Sequence, residues 1–255
     1  CPSCGSKTAK DFNEITKKHD AVRRCLNKDF KCEKIAIESL KHFVSKEALN
    51  IDGFGKKIVE KFWELNLVKF PQDIFSLDFE KIKRFDGWGE LSVSNLKYSI
   101  EKSKKISLER FIYALGIRHI GQENARLLSQ HLKNVENFCG LSKESNIEVL
   151  LNIDGIGETQ IKSIKNFFSN KINISVLEKL NKIMEISNVV LSKKDGILKN
   201  KTFMFTGKLN GISRAEAKSL VEQNSGKIIS NVNSKLNYLI IGDKPTNKKV
   251  KKAKE

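Results

Sequence analysis

Ile51-Asp52-Gly53-Phe54-Gly55, Phe85-Asp86-Gly87-Trp88-Gly89, Ile117-Arg118-His119-Ile120-Gly121 and Ile153-Asp154-Gly155-Ile156-Gly157 are four versions of one pattern. Their first-glycine positions, 53, 87, 119 and 155, lie 34, 32 and 36 residues apart, a period that fits one helix pair per repeat. The surrounding apolar positions keep phase. Four residues after the last glycine stand Val59, Val93, Ala125 and Ile161, and seven after it Phe62, Leu96, Leu128 and Ile164. Positions four and seven beyond a turn share one helical face, so each copy reads as a turn entering an amphipathic helix. Glycine permits positive φ and leaves room for close approach. A tight loop opening a helix presents free N–H groups with the positive end of the helix dipole behind them, which is a seat for phosphate. The other reading is four turns that only cap and connect helices. Four copies in phase in a basic chain favour the phosphate seat. The third copy has His119 in place of the first glycine: either the backbone there is less strained, or the imidazole, with Arg118 beside it, adds a side-chain phosphate contact.

These residues resemble the helix-hairpin-helix motif, which binds nucleic-acid backbone without reading sequence. The resemblance implies DNA-phosphate contacts at Gly53, Gly55, Gly87, Gly89, Arg118, His119, Gly121, Gly155 and Gly157.

The charge balance agrees. In 255 residues, Lys+Arg number 47 against Asp+Glu 30, for a net +17 and a pI near 9.6, the footprint of a polyanion binder. The excess is mostly Lys in a chain also rich in Asn and Ile, a combination that compositional drift produces too. With 39% apolar residues the chain can bury two or three cores. It has no run of 18 apolar residues and no leader before its first unit, so a cytosolic protein is expected. Three prolines argue against long disordered linkers, the Lys-rich end excepted.

Cys1, Cys4, Cys25 and Cys32 form a C-x2-C pair and a looser C-x6-C pair. Four thiolates so grouped can enclose one Zn2+, and a reducing compartment favours metal over disulfides. Free buried thiols are the alternative. Cys139, alone beside Phe138, reads as core. A metal ligand at residue 1 suggests the tail of a longer protein. From Glu33 to Phe43 the spacing of Ile35, Ile37, Leu40 and Phe43 predicts a helix. Phe62, Trp63, Leu65, Leu67, Leu108, Phe111, Ile112 and Leu115 are assigned to inter-helix packing rather than base stacking. Lys193-Lys194-Asp195-Gly196 matches the K-x-D-G signature of nucleotidyltransferases literally. It falls in a charged connector without strands around it, where nothing would depress a lysine pKa, and is read as coincidence.

Past residue 200 the period changes. Thr202 to Thr206 reads as a buried strand, Ser213 to Gln223 as a helix with Ser213 as cap, and Tyr238 to Ile241 as another strand. Thr206-Gly207-Lys208-Leu209, Ser213-Arg214, Gly226-Lys227 and Asn237-Tyr238-Leu239-Ile240 resemble a BRCT domain. The family's phosphate pocket would then use Thr206, Gly207, Arg214 and Lys249; a strand-end Thr with a purely structural role is the alternative. The chain ends inside the expected second helix, so this domain lacks its last strand and helix.

The fold class expected is therefore multidomain: a small Cys4 zinc unit (1–33), a mainly α helix-hairpin-helix array (34–190), a linker (191–199) and a truncated α/β BRCT-like domain (200–255). In this order the modules resemble the C-terminal part of bacterial NAD-dependent DNA ligases, most specifically through Leu108-Glu109-Arg110-Phe111-Ile112-Tyr113-Ala114-Leu115-Gly116-Ile117-Arg118-His119-Ile120-Gly121. The resemblance implies an enzyme that joins a 5′-phosphate to a 3′-hydroxyl in nicked duplex with NAD and Mg2+, which bind outside this chain. It also implies Zn2+ within the chain and no catalytic residue of its own, so that the chain alone is inactive. A monomer that clamps nicked double-stranded DNA in the cytoplasm is the expected form. Two rivals are a non-enzymatic DNA-binding scaffold, favoured by a start codon just upstream, and a BRCT-mediated phosphoprotein adaptor, favoured by retention of phosphopeptide rather than DNA. A hairpin-targeted nuclease fits less well, for lack of clustered carboxylates.

Overall fold

The computed structural model describes residues 1–13, 17–27, 30–189, 196–212, 214–229 and 231–254. They form two compact units, 1–188 and 189–255.

The first unit opens with an antiparallel hairpin, β1 (Thr8–Asn13) and β2 (Lys18–Cys25), whose pairing shifts between Lys10 and Phe12. The helical array follows: α1 (Glu33–Phe43), α2 (Lys56–Glu64), a 3-10 segment (Pro71–Ser76), α3 (Phe79–Lys83) and α4 (Glu90–Ser103). Then come β3 (Lys105–Ser107), α5 (Leu108–Ala114), α6 (Gln122–Leu132), α7 (Val135–Cys139) and α8 (Glu144–Glu148). A short 3-10 turn (Val149–Asn152) leads to α9 (Glu158–Phe168), α10 (Lys171–Ile183) and β4 (Glu185–Ser187).

Burial follows the repeat phase. Val59, Val93, Ala125, Ile161, Phe62, Leu96, Leu128 and Ile164 are all buried, so each turn sets the face its helix turns inward. Phe111 and Phe138 are fully buried, and Phe138 meets Phe168 edge to face at 5.4 Å. Of the residues assigned to packing, Leu65 is exposed. In α1 the inward stripe is Ala36, Leu40 and Phe43, while Ile35 faces solvent: the helix is where the spacing puts it, with Ala36 rather than Ile35 beginning its buried face. β3 and β4 pair in parallel and join the start of the third repeat to the end of α10, with Lys105 3.2 Å from Glu185.

The second unit has β5 (Thr202–Thr206) central between β6 (Lys227–Ile228) and β7 (Tyr238–Ile241), both parallel to it, with α11 (Arg214–Gln223) and α12 (Asn247–Lys254). Phe203, Phe205, Ala217 and Val221 make its core, joined by Leu198. Two readings change here. Residues 196–199, read as linker, belong to the folded unit: Leu198 N–H donates to Asn224 O (3.0 Å) and Gly196 N–H to Ser225 Oγ (3.0 Å). The Lys-rich end is helix α12 rather than disordered, started by Val250 N–H donating to Thr246 O (3.2 Å). Lys193, Lys194 and Asp195 of the K-x-D-G match, and the cap Ser213, lie outside the described residues. Among the described residues no helix is long and apolar enough to cross a membrane.

Candidate nucleic-acid interface

The four turns share one backbone. In each, the residue after the first-glycine position donates its N–H three residues back: Phe54 to Ile51 O (3.2 Å), Trp88 to Phe85 O (3.1 Å), Ile120 to Ile117 O and Ile156 to Ile153 O (3.0 Å each). The third residue of each turn is left-handed, at φ +83° for Gly53, +83° for Gly87, +60° for His119 and +90° for Gly155. Positive φ at that position defines a type II turn and explains the glycine. His119 adopts the same strained conformation, so the less strained backbone considered for it is not found. Its imidazole is already engaged, Nδ1 lying 3.0 Å from Ser163 Oγ on α9. Burial, then the charge of Arg118, lowers its pKa from the usual 6.5.

The second glycines do different work. Gly55, Gly89, Gly121 and Gly157 are helix N-caps with extended backbone, φ −69° to −102°, which any residue can adopt. Each carbonyl accepts the first helical bond, from Val59, Val93, Ala125 and Ile161 N–H at 2.9–3.1 Å. A Cβ placed on Gly55, Gly89 or Gly121 would meet no described atom within 4 Å. Neither φ nor packing within the chain therefore asks for glycine there.

The seats are electrostatically unequal. Of the four helices that follow the turns, α2 alone has no acid in its first turn, and it opens with Lys56 and Lys57. In α4 Glu90 stands there, paired with Lys83, and in α6 Glu123, paired with Arg126. In α9 the first residue is Glu158, and Gln160 Oε1 already accepts from Gly157 N–H (3.2 Å).

Beside the array, the segment before β1, the end of β2 and the N-cap of α1 gather Cys1, Cys4, Cys25 and Cys32, whose sulfurs lie within 4.8 Å of one another. Cys1 and Cys32 Sγ are 3.8 Å apart, and Cys4 and Cys25 Sγ 3.5 Å. Zinc–sulfur bonds of about 2.3 Å in a tetrahedron set an edge of about 3.8 Å, so the donor set fits a structural metal ion in size and chemistry. Hydrogen bonds from the Ser6 side chain and backbone hold the Cys4 thiol down at about 6, toward the ligating thiolate. Cys139, outside this cluster, is partly buried, and burial raises its pKa.

Arg118 contributes something the spacing does not reveal. Its guanidinium is ion-paired with Asp11 of β1 and lies 3.6 Å from Asp20 of β2, so the third turn touches the hairpin of the cysteine unit. In the second unit Thr206, Gly207, Arg214 and Lys249 converge at one sheet end. There Arg214 Nη2 donates to Gly207 O (2.6 Å), Thr206 Oγ1 accepts from Thr246 N–H (3.1 Å), and Lys249 N–H donates to Thr246 O (2.9 Å).

Comparison with known proteins adds family to this geometry. Residues 110–177 match the helix-hairpin-helix motif and residues 193–255 the BRCA1 C Terminus (BRCT) domain. The whole chain is 69% identical to a DNA ligase of Pelagibacter ubique and 40% identical to DNA ligases of Rickettsia bellii and Wolbachia pipientis. It spans 38% of the length of each of these relatives.

Proposed function

We infer the function from the family: the chain is the C-terminal part of a bacterial DNA ligase, and in that enzyme it holds the duplex while the nick is sealed. The observation that carries this reading is the second glycine of the first three turns, Gly55, Gly89 and Gly121, open where neither backbone nor packing requires glycine. The hairpins grip backbone phosphates on both sides of the nick, most strongly at Gly55 with Lys56 and Lys57, less so at Gly89, Gly121 and Gly157. Gly53, Gly87 and Gly155 act through the turns they shape. Cys1, Cys4, Cys25 and Cys32 hold Zn2+, which fixes the β1–β2 hairpin. Joining a 5′-phosphate to a 3′-hydroxyl with NAD and Mg2+ belongs to the remaining length of the enzyme, so this chain alone binds without ligating. It works as a monomer in the cytoplasm, in replication and repair.

The test is affinity of the purified chain for nicked duplex, intact duplex and single strand across a salt series. Duplex binding should weaken steeply with salt, by about 0.9 units of log affinity per log salt for each phosphate held. Equal, salt-insensitive binding to all three substrates would reduce the hairpins to structural turns.

A further inference from the structure

Arg118 is the second residue of the third turn, and the corresponding residues of the other three are Asp52, Asp86 and Asp154, all exposed. A carboxylate facing a bound phosphate would repel it, so a position held by Asp in three of four repeats is one that faces away from the phosphate seat. In the third repeat its occupant is instead a cation met by two carboxylates. Strand pairing passes from Lys10 with Arg23 to Phe12 with His19, so Asp11 alone stands opposite Asp20, Ala21 and Val22. Such a bulge re-aims side chains, and here it lies at the two carboxylates that reach Arg118. Arg24 closes the group, with Nε 3.5 Å from Asp11 and Nη2 3.4 Å from Asp20. On the far side the turn is held by His119 on Ser163 and by Asn124 Nδ2 donating to His119 O (2.9 Å).

We propose that Arg118 is a positioning residue that anchors the third turn to the bulged hairpin of the cysteine unit through Asp11 and Asp20, and that it does not itself bind phosphate. Docking of that hairpin then sets the phosphate seat of the third turn. The inference rests on the duplex-holding function above.

Its test is a matter of sign. Asp11→Asn/Asp20→Asn, Arg118→Ala and the triple variant are made in the full chain, and affinity for nicked duplex is measured across salt. Removing two negative charges from a DNA binder would raise affinity if Arg118 were a masked phosphate ligand. Anchoring predicts a loss of about fivefold in the double variant, the lower end of ordinary site-to-site coupling. It also predicts a triple variant no weaker than Arg118→Ala, and an unchanged salt slope in Arg118→Ala. A gain in the double variant, or a slope lower by about 0.9 in Arg118→Ala, overturns it. Should the wild-type chain bind no duplex, the duplex-holding function fails, and hydrogen exchange at the Ile120 amide decides the anchoring separately. Faster exchange in the double variant supports the anchor, and an unchanged rate refutes it.

Discussion

Gly53→Ala and Gly55→Val, two residues apart in one turn, should fail in opposite ways. At Gly53, φ is +83° and an added Cβ would meet only Leu96 Cδ1 at 3.8 Å, an ordinary contact, so the cost is backbone strain alone. An L residue in the left-handed region costs about 1–2 kcal/mol, and in a unit of this size each 1 kcal/mol lowers Tm by about 2–4 °C. At Gly55, φ is −69° and the space is open. There an apolar N-cap costs roughly 0.5–1 kcal/mol, while removing glycine's freedom from the unfolded chain returns about 0.4–1 kcal/mol, so Tm stays within about 2 °C. Binding should divide the other way. A side chain on Gly55 blocks a charge-assisted hydrogen bond of about 1.5–3 kcal/mol, roughly a 10- to 100-fold loss of affinity, and lowers the salt slope by about 0.9. Gly53→Ala should leave that slope intact. Calorimetry and a fluorescence-anisotropy salt series on the same three proteins decide it. Equal destabilisation by both substitutions, or a Gly55→Val slope equal to wild type, would refute the division of labour between the two glycines.

His119 has a folded pKa below its usual 6.5, so the unfolded chain binds more protons near that pH; stability should fall as pH drops below 6.5, and His119→Asn should flatten this step in pH-dependent melting. Gly207→Ala combines φ +84° with a Cβ 2.6 Å from Gly242 O, and should unfold the second unit while amide exchange in the first stays native. Removing metal with a chelator should release the β1–β2 hairpin but leave most helical circular dichroism, because of the four cysteines only Cys32, at the start of α1, is buried with the core of the array; collapse of the helical signal would show that the metal supports the whole unit.

What was legible in the sequence was what is locally encoded. The turns declared themselves because each needs a left-handed residue and an apolar face at fixed offsets, and α1, β5 and β7 were found within their expected bounds for similar reasons. The β1–β2 hairpin was hidden because alternation arises only when one face of a strand is buried, and here Phe12 and Val22 are both largely exposed. β3 and β4 are three residues each and meet across the third and fourth repeats, a pairing that no local pattern can announce. The Lys-rich end reads as disordered from its composition, which does not announce the strand β7 against which α12 packs.

Arg118 shows most clearly where sequence reasoning stops. An arginine beside a histidine in a phosphate-binding turn reads as a phosphate ligand from its neighbours alone. Its actual partners, Asp11 and Asp20, lie about a hundred residues earlier in a hairpin the pattern did not reveal. Yet the repeat held a usable signal, since each sister turn has an aspartate at that position. Internal repeats thus supply controls for one another. A residue type shared by all copies belongs to the common backbone, and a departure in one copy marks a contact that copy alone makes. On that reasoning His119, left-handed without being glycine, is kept at a conformational cost of about 1–2 kcal/mol by its bond to Ser163, a contact between the third and fourth repeats.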